Sequence, residues 1–185
     1  MTMITLPQSL RDAVDDWHTH NQSARRAIIN LPDPGSPREP GALYSAGIYP
    51  WLADSSDLDE RLARLRSVAG EPDVVAIGEA GLDRLRGPGL DVQMPLFISQ
   101  ARIADAVGKP LIIHAVRTIP EIISAHKSLK PRVAWIIHGF RGSPEAAKQL
   151  LARPGIYISI GAKYRPEAVE LIPADRLLRE TDQEG

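Results

Sequence analysis

Along most of the chain, short apolar runs alternate with longer stretches whose apolar residues recur at helical spacing. Residues 27–31 (AIINL), 43–48 (LYSAGI), 73–78 (DVVAIG), 110–114 (PLIIH), 132–138 (RVAWIIH), 156–160 (IYISI) and 176–180 (RLLRE) read as strands. Residues 13–17 add a weaker candidate, interrupted by Asp15 and Asp16. Pro110 stands first in its strand, where a missing N–H is tolerated. Leu58, Leu62, Leu65 and Val68 predict a helix over residues 57–69, and Phe97, Ala101 and Ala104 give residues 91–107 one apolar face. Shorter helices are expected at 119–126, 143–152 and 166–171. In the second of these Ser143 is a natural N-cap, followed by Pro144 and Glu145. Residues 32–41 hold four prolines and two glycines and cannot be helical.

From the fourth strand onward, every strand but the last is followed by a helix. That alternation argues for parallel strands with right-handed crossovers. The continuous apolar runs suit strands buried on both faces. The expected fold class is α/β, a reduced (β/α)8 TIM-type barrel lacking helices after strands 1, 2 and 8; an open doubly wound sheet is the alternative. Such barrels usually need about 250 residues, and this chain has 185. The shortfall falls on outer helices. The flank formed by strands 8, 1 and 2 is therefore expected to leave apolar surface uncovered and to take a partner, most simply a second copy in a homo-oligomer. The opening Met-Thr-Met-Ile-Thr resembles the leader of common cloning vectors. Residues 1–10 are accordingly expected to be a vector-derived or disordered leader, and residues 11–185 a single domain.

Composition narrows the class. With 43% hydrophobic and 24% charged residues, global disorder is excluded. No apolar run approaches the roughly 20 residues of a membrane span, so no membrane role is expected. Cysteine is absent, which excludes disulfides, zinc–thiolate sites and thiol nucleophiles and fits a reducing, cytoplasmic setting. The net charge of −1 provides no general field for nucleic acid, so any anion must be held by a local patch.

Four of the five histidines, His18, His20, His114 and His138, end a predicted strand or lie just past one. Active sites of parallel α/β folds gather at the carboxyl ends of strands. His126 ends a helix, where imidazolium is mildly favoured, and is given no role. His18 and His20 are two apart, so on an extended strand both rings face one side, close enough to share an ion. Glu79 and Asp182 follow the fourth and eighth strands. Four imidazoles and two carboxylates suit two borderline divalent ions with open positions. Taken singly, either carboxylate would serve equally as a loop residue capping a helix.

The segments DWHTHN (residues 16–21), GEAGLD (78–83), PLIIHAVR (110–117), IIHGFRGSPEAAKQLL (136–151) and ETD (180–182) resemble the TatD family of metal-dependent hydrolases, within the amidohydrolase superfamily. QMPLFISQARIADAVGKP (93–110) resembles the helix that precedes the family's second histidine motif. The motifs stand in family order and cover nearly the whole chain from Asp16. The resemblance implies a hydrolytic site with two divalent metal ions (Zn2+, Mn2+ or Mg2+). His18, His20 and Asp182 would bind one ion, His114 and His138 the other, and Glu79 would bridge them. Asp182 and Glu79 are then the catalytic carboxylates, Asp182 taking the proton of the attacking water. The implied activity is that of a phosphodiesterase or deoxyribonuclease acting on DNA ends or a small phosphodiester. Two rivals remain: a hydrolase of small amide, ester, lactone or phosphotriester substrates, and a truncated, inactive barrel that only binds metal.

Other residues have weaker claims. Asp83, in GEAGLD, would orient a ligand histidine through its second nitrogen, or serve as a turn residue. Arg117, Arg141 and Lys163 sit on loops of the same face and are candidate phosphate contacts; solvated surface charge explains them equally. Asn21 is a lesser candidate of that kind. Tyr49 and Trp51 could stack a base or simply pack. Two positions depart from the family pattern: Tyr49 in GIYP, where the family usually has histidine, and Arg141 in HGFRG, where it has a small residue. In the last strand, alternation turns Leu178, Glu180 and Asp182 inward and Arg179 outward.

Overall fold

Eight strands follow one another in chain order, each parallel to the next: β1 (Asp16–Thr19), β2 (Ala27–Asn30), β3 (Leu43–Ala46), β4 (Val74–Asp83), β5 (Leu111–Val116), β6 (Trp135–Ile137), β7 (Ile156–Ile160) and β8 (Leu177–Arg179). This computed structural model describes residues 4–182. The helices are α1 (Gln8–Ala13), α2 (Leu58–Val68), α3 (Leu90–Val107), α4 (Ile119–Leu129), α5 (Pro144–Leu151) and α6 (Pro166–Val169), with a 3-10 turn at Pro50–Leu52. The sheet curls into a nearly closed TIM-type (β/α)8 barrel. Among the described residues no ladder joins β8 to β1. The seam is stitched by the Asp182 N–H, which donates to the His18 carbonyl at 3.0 Å. Thr181 adds its N–H (3.0 Å) and its hydroxyl (2.6 Å), both donating to the Asp16 carboxylate.

The period of two along each strand builds two layers inside the barrel. Trp17, Ile28, Ala76, Ile112, Ile136, Tyr157 and Leu178 pack as an apolar floor, joined by Leu6, Leu10 and Val14 of the N-terminal segment. Two residues further along their strands come Asn30, His114, His138, Ser159 and Glu180, all polar. The register that buries the floor thus lifts a polar layer toward the strand ends. Outward residues of the same strands, Ile29, Ile77, Ile113, Trp135, Ile137 and Ile158, pack in the second core with the helices.

Several boundaries differ from the expectation. β1 begins at Asp16, not residue 13, because residues before it coil into α1, whose Leu10 is buried in the floor. The expected leader is packed where it is described: Leu6 is buried, and its N–H donates to the Tyr157 hydroxyl. Residues 1–3 lie outside the described residues. β4 and β5 run on to Asp83 and Val116, past the expected ends at residues 78 and 114, because they keep pairing through Asp83↔Val116. Glu79 and Asp83 therefore stand within a strand and not on a loop. Helices are missing after β1 and after β2, as expected.

The expected apolar exposure on that flank is not found. All four residues of β2 are buried, and among the described residues the exposed large apolar ones are Leu85, Val92, Tyr164 and Leu171, none on these strands. The loops after β1 and β2 fold over the strands instead. Ala24 and Ala42 pack against the core, and Arg26 pairs with Asp15 at 2.6 Å. Their outer side is a shallow hollow lined partly by Arg25, Arg26 and Glu39, so a partner would meet a mixed polar surface there. Arg179 points outward and is exposed, as its alternation predicts. No helix of the described residues is long and apolar enough to cross a membrane.

Candidate metal centre

Glu79 lies at the middle of the polar layer and is almost wholly buried. Gly78 (φ +134°) lets β4 press against β5 here; a β-carbon would collide with the Ile112 carbonyl oxygen. The Glu79 N–H donates to Asn30 Oδ1 at 2.9 Å, which also accepts from the Ser45 hydroxyl at 3.0 Å. Strands β2 and β3 thus help to position Glu79.

Each carboxylate oxygen of Glu79 faces a different histidine pair. Oε1 lies 2.9 Å from His114 Nδ1 and 3.0 Å from His138 Nε2. Oε2 lies 3.3 Å from His18 Nε2 and 3.6 Å from His20 Nε2. Asp182 Oδ1 is 3.6 Å from the Nε2 of both His18 and His20. All six sequence-predicted ligands come together, in two groups about one carboxylate. Three overlapping sets (His18, His138, Asp182; His18, His20, Glu79; Glu79, His114, His138) each keep their ligand atoms within 4.8 Å.

The residues fit a divalent cation. His18 is fully buried, and neither ring nitrogen has a hydrogen-bond partner among the described residues. Buried polar atoms are nearly always satisfied, and an idle one costs about 1–3 kcal/mol. The His18 Nε2 looks onto Glu79 and Asp182, so a cation between them would complete it. A donor set of imidazole nitrogens and carboxylates without sulfur suits Zn2+ or Mn2+.

Two further carboxylates stand behind the ligands. His114 Nε2 meets Asp83 Oδ2 at 2.8 Å, which leaves Nδ1 for the centre. His138 Nδ1 meets Glu180 Oε1 at 3.3 Å, which leaves Nε2. Sequence reasoning gives Glu180 no role; its inward alternation is the available signal, but its partner His138, just past β6, is not visible in the sequence.

Burial opposes charge on Glu79, yet the charge on His138 and hydrogen bonds from His114 and His138 outweigh it, with the nearby His18 ring adding to them, and hold the carboxyl well below its usual range. Burial also opposes imidazolium at His138, but Glu79 and Glu180 push it well above the ordinary histidine value. His20 is lowered, first by burial and then by His18.

At the rim, the Tyr49 hydroxyl accepts from Asn30 Nδ2 at 2.7 Å, and its ring stacks on Trp51 at 4.6 Å and 9°. Burial first, and the Glu79 charge second, raise its hydroxyl well above the usual tyrosine value, so it stays a neutral phenol. Arg141 and Lys163 line a hollow of about 120 Å3 with Thr181 and Asp182. Arg117 does not join them: it is exposed, and its side chain makes no hydrogen bond or ion pair with the described residues. Asn21 builds a turn, its Oδ1 accepting the Ser23 N–H at 3.0 Å. His126 is a packing residue, donating to the Pro154 carbonyl at 3.1 Å and lying edge-on to Trp135.

A family model described as TatD related DNase matches residues 36–183. The chain is 35% identical over 156 residues to a protein named 3'-5' ssDNA/RNA exonuclease TatD from Cronobacter turicensis, which covers 78% of this chain and 58% of that protein. It is 36% identical over 152 residues to a protein named uncharacterized metal-dependent hydrolase YabD from Bacillus subtilis, covering 76% of this chain and 58% of the relative. The chain thus spans 58% of the length of these curated relatives. A crystal structure of YJJV, a TatD homolog from Escherichia coli K12, has the same fold with TM-score 0.75 at 21% identity, over 94% of this chain and 80% of that one. His18 and His20 precede the segment matched by the family model, so their case rests on their convergence with Glu79.

Proposed function

The chain belongs to the TatD-related DNase family, and from that premise we propose that it hydrolyses phosphodiesters, at DNA ends or in a small phosphodiester, with two divalent ions. The observation that carries the reading is Glu79, whose two oxygens face separate histidine pairs. One ion would be held by His18, His20 and Asp182, the other by His114 and His138, with Glu79 shared. Zn2+, Mn2+ and Mg2+ are the ions to test. Bound there, they would polarise a phosphoryl oxygen and make a water acidic enough to attack near neutral pH.

The chain's own residues divide the remaining work. Asp182 is the most exposed of the six, 35% by side chain, and is the natural acceptor of the attacking water's proton. Such a base is typically worth about 10²–10⁴-fold. Asp83 and Glu180 keep His114 and His138 turned with one nitrogen each toward the centre. Arg141 and Lys163 offer charged donors to a phosphate on the Asp182 side. A net charge of −1 suits a single-stranded end better than wide duplex contact. The printed name of the Cronobacter relative, a single-strand exonuclease, supports the same substrate class. A small-substrate amidohydrolase would call for a closed apolar pocket, whereas the hollow beside Asp182 is lined by Arg141, Lys163 and Thr181. An inactive barrel would call for displaced ligands, whereas all six converge.

The test is metal content together with hydrolysis of single-stranded DNA and bis(p-nitrophenyl) phosphate in Mg2+, Mn2+ or Zn2+. Metal-dependent turnover is expected, lost in Glu79→Ala and in Asp182→Asn. Unchanged activity in either variant contradicts the mechanism, and a chain that takes up no metal contradicts the reading as a whole.

A further inference from the structure

The loop after β4 carries two arginines with different fates. Arg84 is neutralised by Glu121 and donates to the Arg117 carbonyl at 2.9 Å. Arg86 has no carboxylate partner among the described residues, and its guanidinium lies 3.7 Å from the centre of the Trp51 ring. Tyr49 also stacks on Trp51, and the Trp51 and His114 rings stand nearly perpendicular with centroids 5.5 Å apart. Tyr49 and Arg86 thus both pack on Trp51, the ring that neighbours a candidate metal ligand.

Exposed arginines are ordinarily mobile, solvated charges. The backbone of this one is fixed. Asp83 Oδ1 accepts the N–H of Leu85 at 2.7 Å and of Arg86 at 3.1 Å, while its Oδ2 holds His114. Gln93, fully buried on α3, donates to the carbonyls of Asp83 (2.8 Å), Arg86 (3.2 Å) and Pro88 (2.6 Å). Gly87 (φ +83°) lets the backbone close on Trp51, since a β-carbon there would sit 2.5 Å from Trp51 Cα. The carboxylate that orients His114 therefore also sets the position of Arg86.

We propose that Arg86, seated on Trp51, is an anion receptor of this site and grips a substrate phosphate next to the scissile one. A guanidinium lying flat on an aromatic ring keeps its N–H edge free to fork a phosphate. A tryptophan already stacked by Tyr49 and Arg86 is a pedestal for Arg86 and not a free platform for a base. The inference rests on the phosphodiester reading and deepens it: an oligonucleotide, with a second phosphate, gains from Arg86 more than a lone phosphodiester does.

The test is equilibrium binding of a short fluorescein-labelled oligothymidylate across a salt series. Asp182→Asn protein, loaded with metal, serves as the background so that turnover does not intervene. Adding Arg86→Met is expected to weaken binding about tenfold and to lower the slope of log affinity against log salt by ~0.7, the share of one phosphate contact on a single strand. Arg86→Lys should restore the slope while recovering only part of the affinity, because lysine keeps the charge and loses the fork. Arg84→Met should leave the slope unchanged. In the active protein, Arg86→Met should lower kcat/KM more on the oligonucleotide than on bis(p-nitrophenyl) phosphate.

Unchanged affinity and slope in Arg86→Met overturn the proposal. So does a loss in Trp51→Leu with Arg86→Met neutral or tighter, because the ring would then be stacking a base. If the unaltered chain binds the oligonucleotide through Arg86 but never cleaves it, the hydrolytic reading falls and the receptor stands. If it cleaves and Arg86→Met changes nothing, the receptor falls and the hydrolytic reading stands.

Discussion

His114 and His138 each have a carboxylate behind the ring, Asp83 at 2.8 Å and Glu180 at 3.3 Å; among the described residues His18 and His20 have none. The difference follows from strand construction. β4 and β5 stay paired to Asp83↔Val116, which keeps Asp83 beside His114. β1 is four residues long, its pairing with β2 shifts register, and on its other side it meets β8 across the open seam. A carboxylate behind an imidazole fixes its orientation and raises its basicity as a ligand. The β5–β6 half should therefore hold its ion more tightly. The β1 half, completed by Asp182 from the seam, should exchange its ion more readily while carrying the proton acceptor.

The largest expected effect comes from the residue the halves share. Glu79→Ala should cut turnover by at least the 10²–10⁴-fold typical of losing a positioned catalytic carboxylate, and metal analysis should find both ions lost. Retention of either ion would mean that the halves are assembled independently of Glu79.

Next come Asp83→Asn and Glu180→Gln, each expected to weaken the tighter ion by about 10–100-fold in a chelator competition. Weakening of the looser ion alone would reverse the comparison. A smaller effect is expected at the seam. Thr181→Val removes the hydroxyl bond to Asp16 and should lower stability to urea by about 0.5–1.5 kcal/mol while leaving the tighter ion in place.

The smallest effect sharpens the contrast from outside the centre. His126 is lowered below the ordinary histidine value, chiefly by burial. The unfolded chain therefore binds its proton more readily than the folded one. The stability this residue contributes is present above about pH 6.5 and is lost as pH falls through the folded value. In thermal unfolding of the metal-free chain, His126→Gln should flatten the pH dependence on that acid side only.

The sequence pattern made the inward histidines legible because the floor and the site share one register: Ile112 and His114, or Ile136 and His138, are two apart on the same face. The cap at Ser143 was legible for a local reason and is present, its hydroxyl accepting the Ala146 N–H at 3.2 Å. What was missed depends on distant contacts. α1 is a six-residue helix without a side-chain cap, and Leu6 and Leu10 beside and within it are held by burial in the floor. Glu180 owes its place to His138, 42 residues away in the chain. The seat of Arg86 depends on Trp51 from another loop and on the buried amide of Gln93. Loop position and charge pointed to Arg117, whose side chain is left in solvent.

Calorimetric titration of chelator-treated protein with Mn2+ or Zn2+ tests the paired centre most directly. Two equivalents per chain are expected in two resolved steps, with the tighter step weakened in Glu180→Gln and both lost in Glu79→Ala. A single equivalent, or two steps of which Glu180→Gln weakens only the looser, would contradict it.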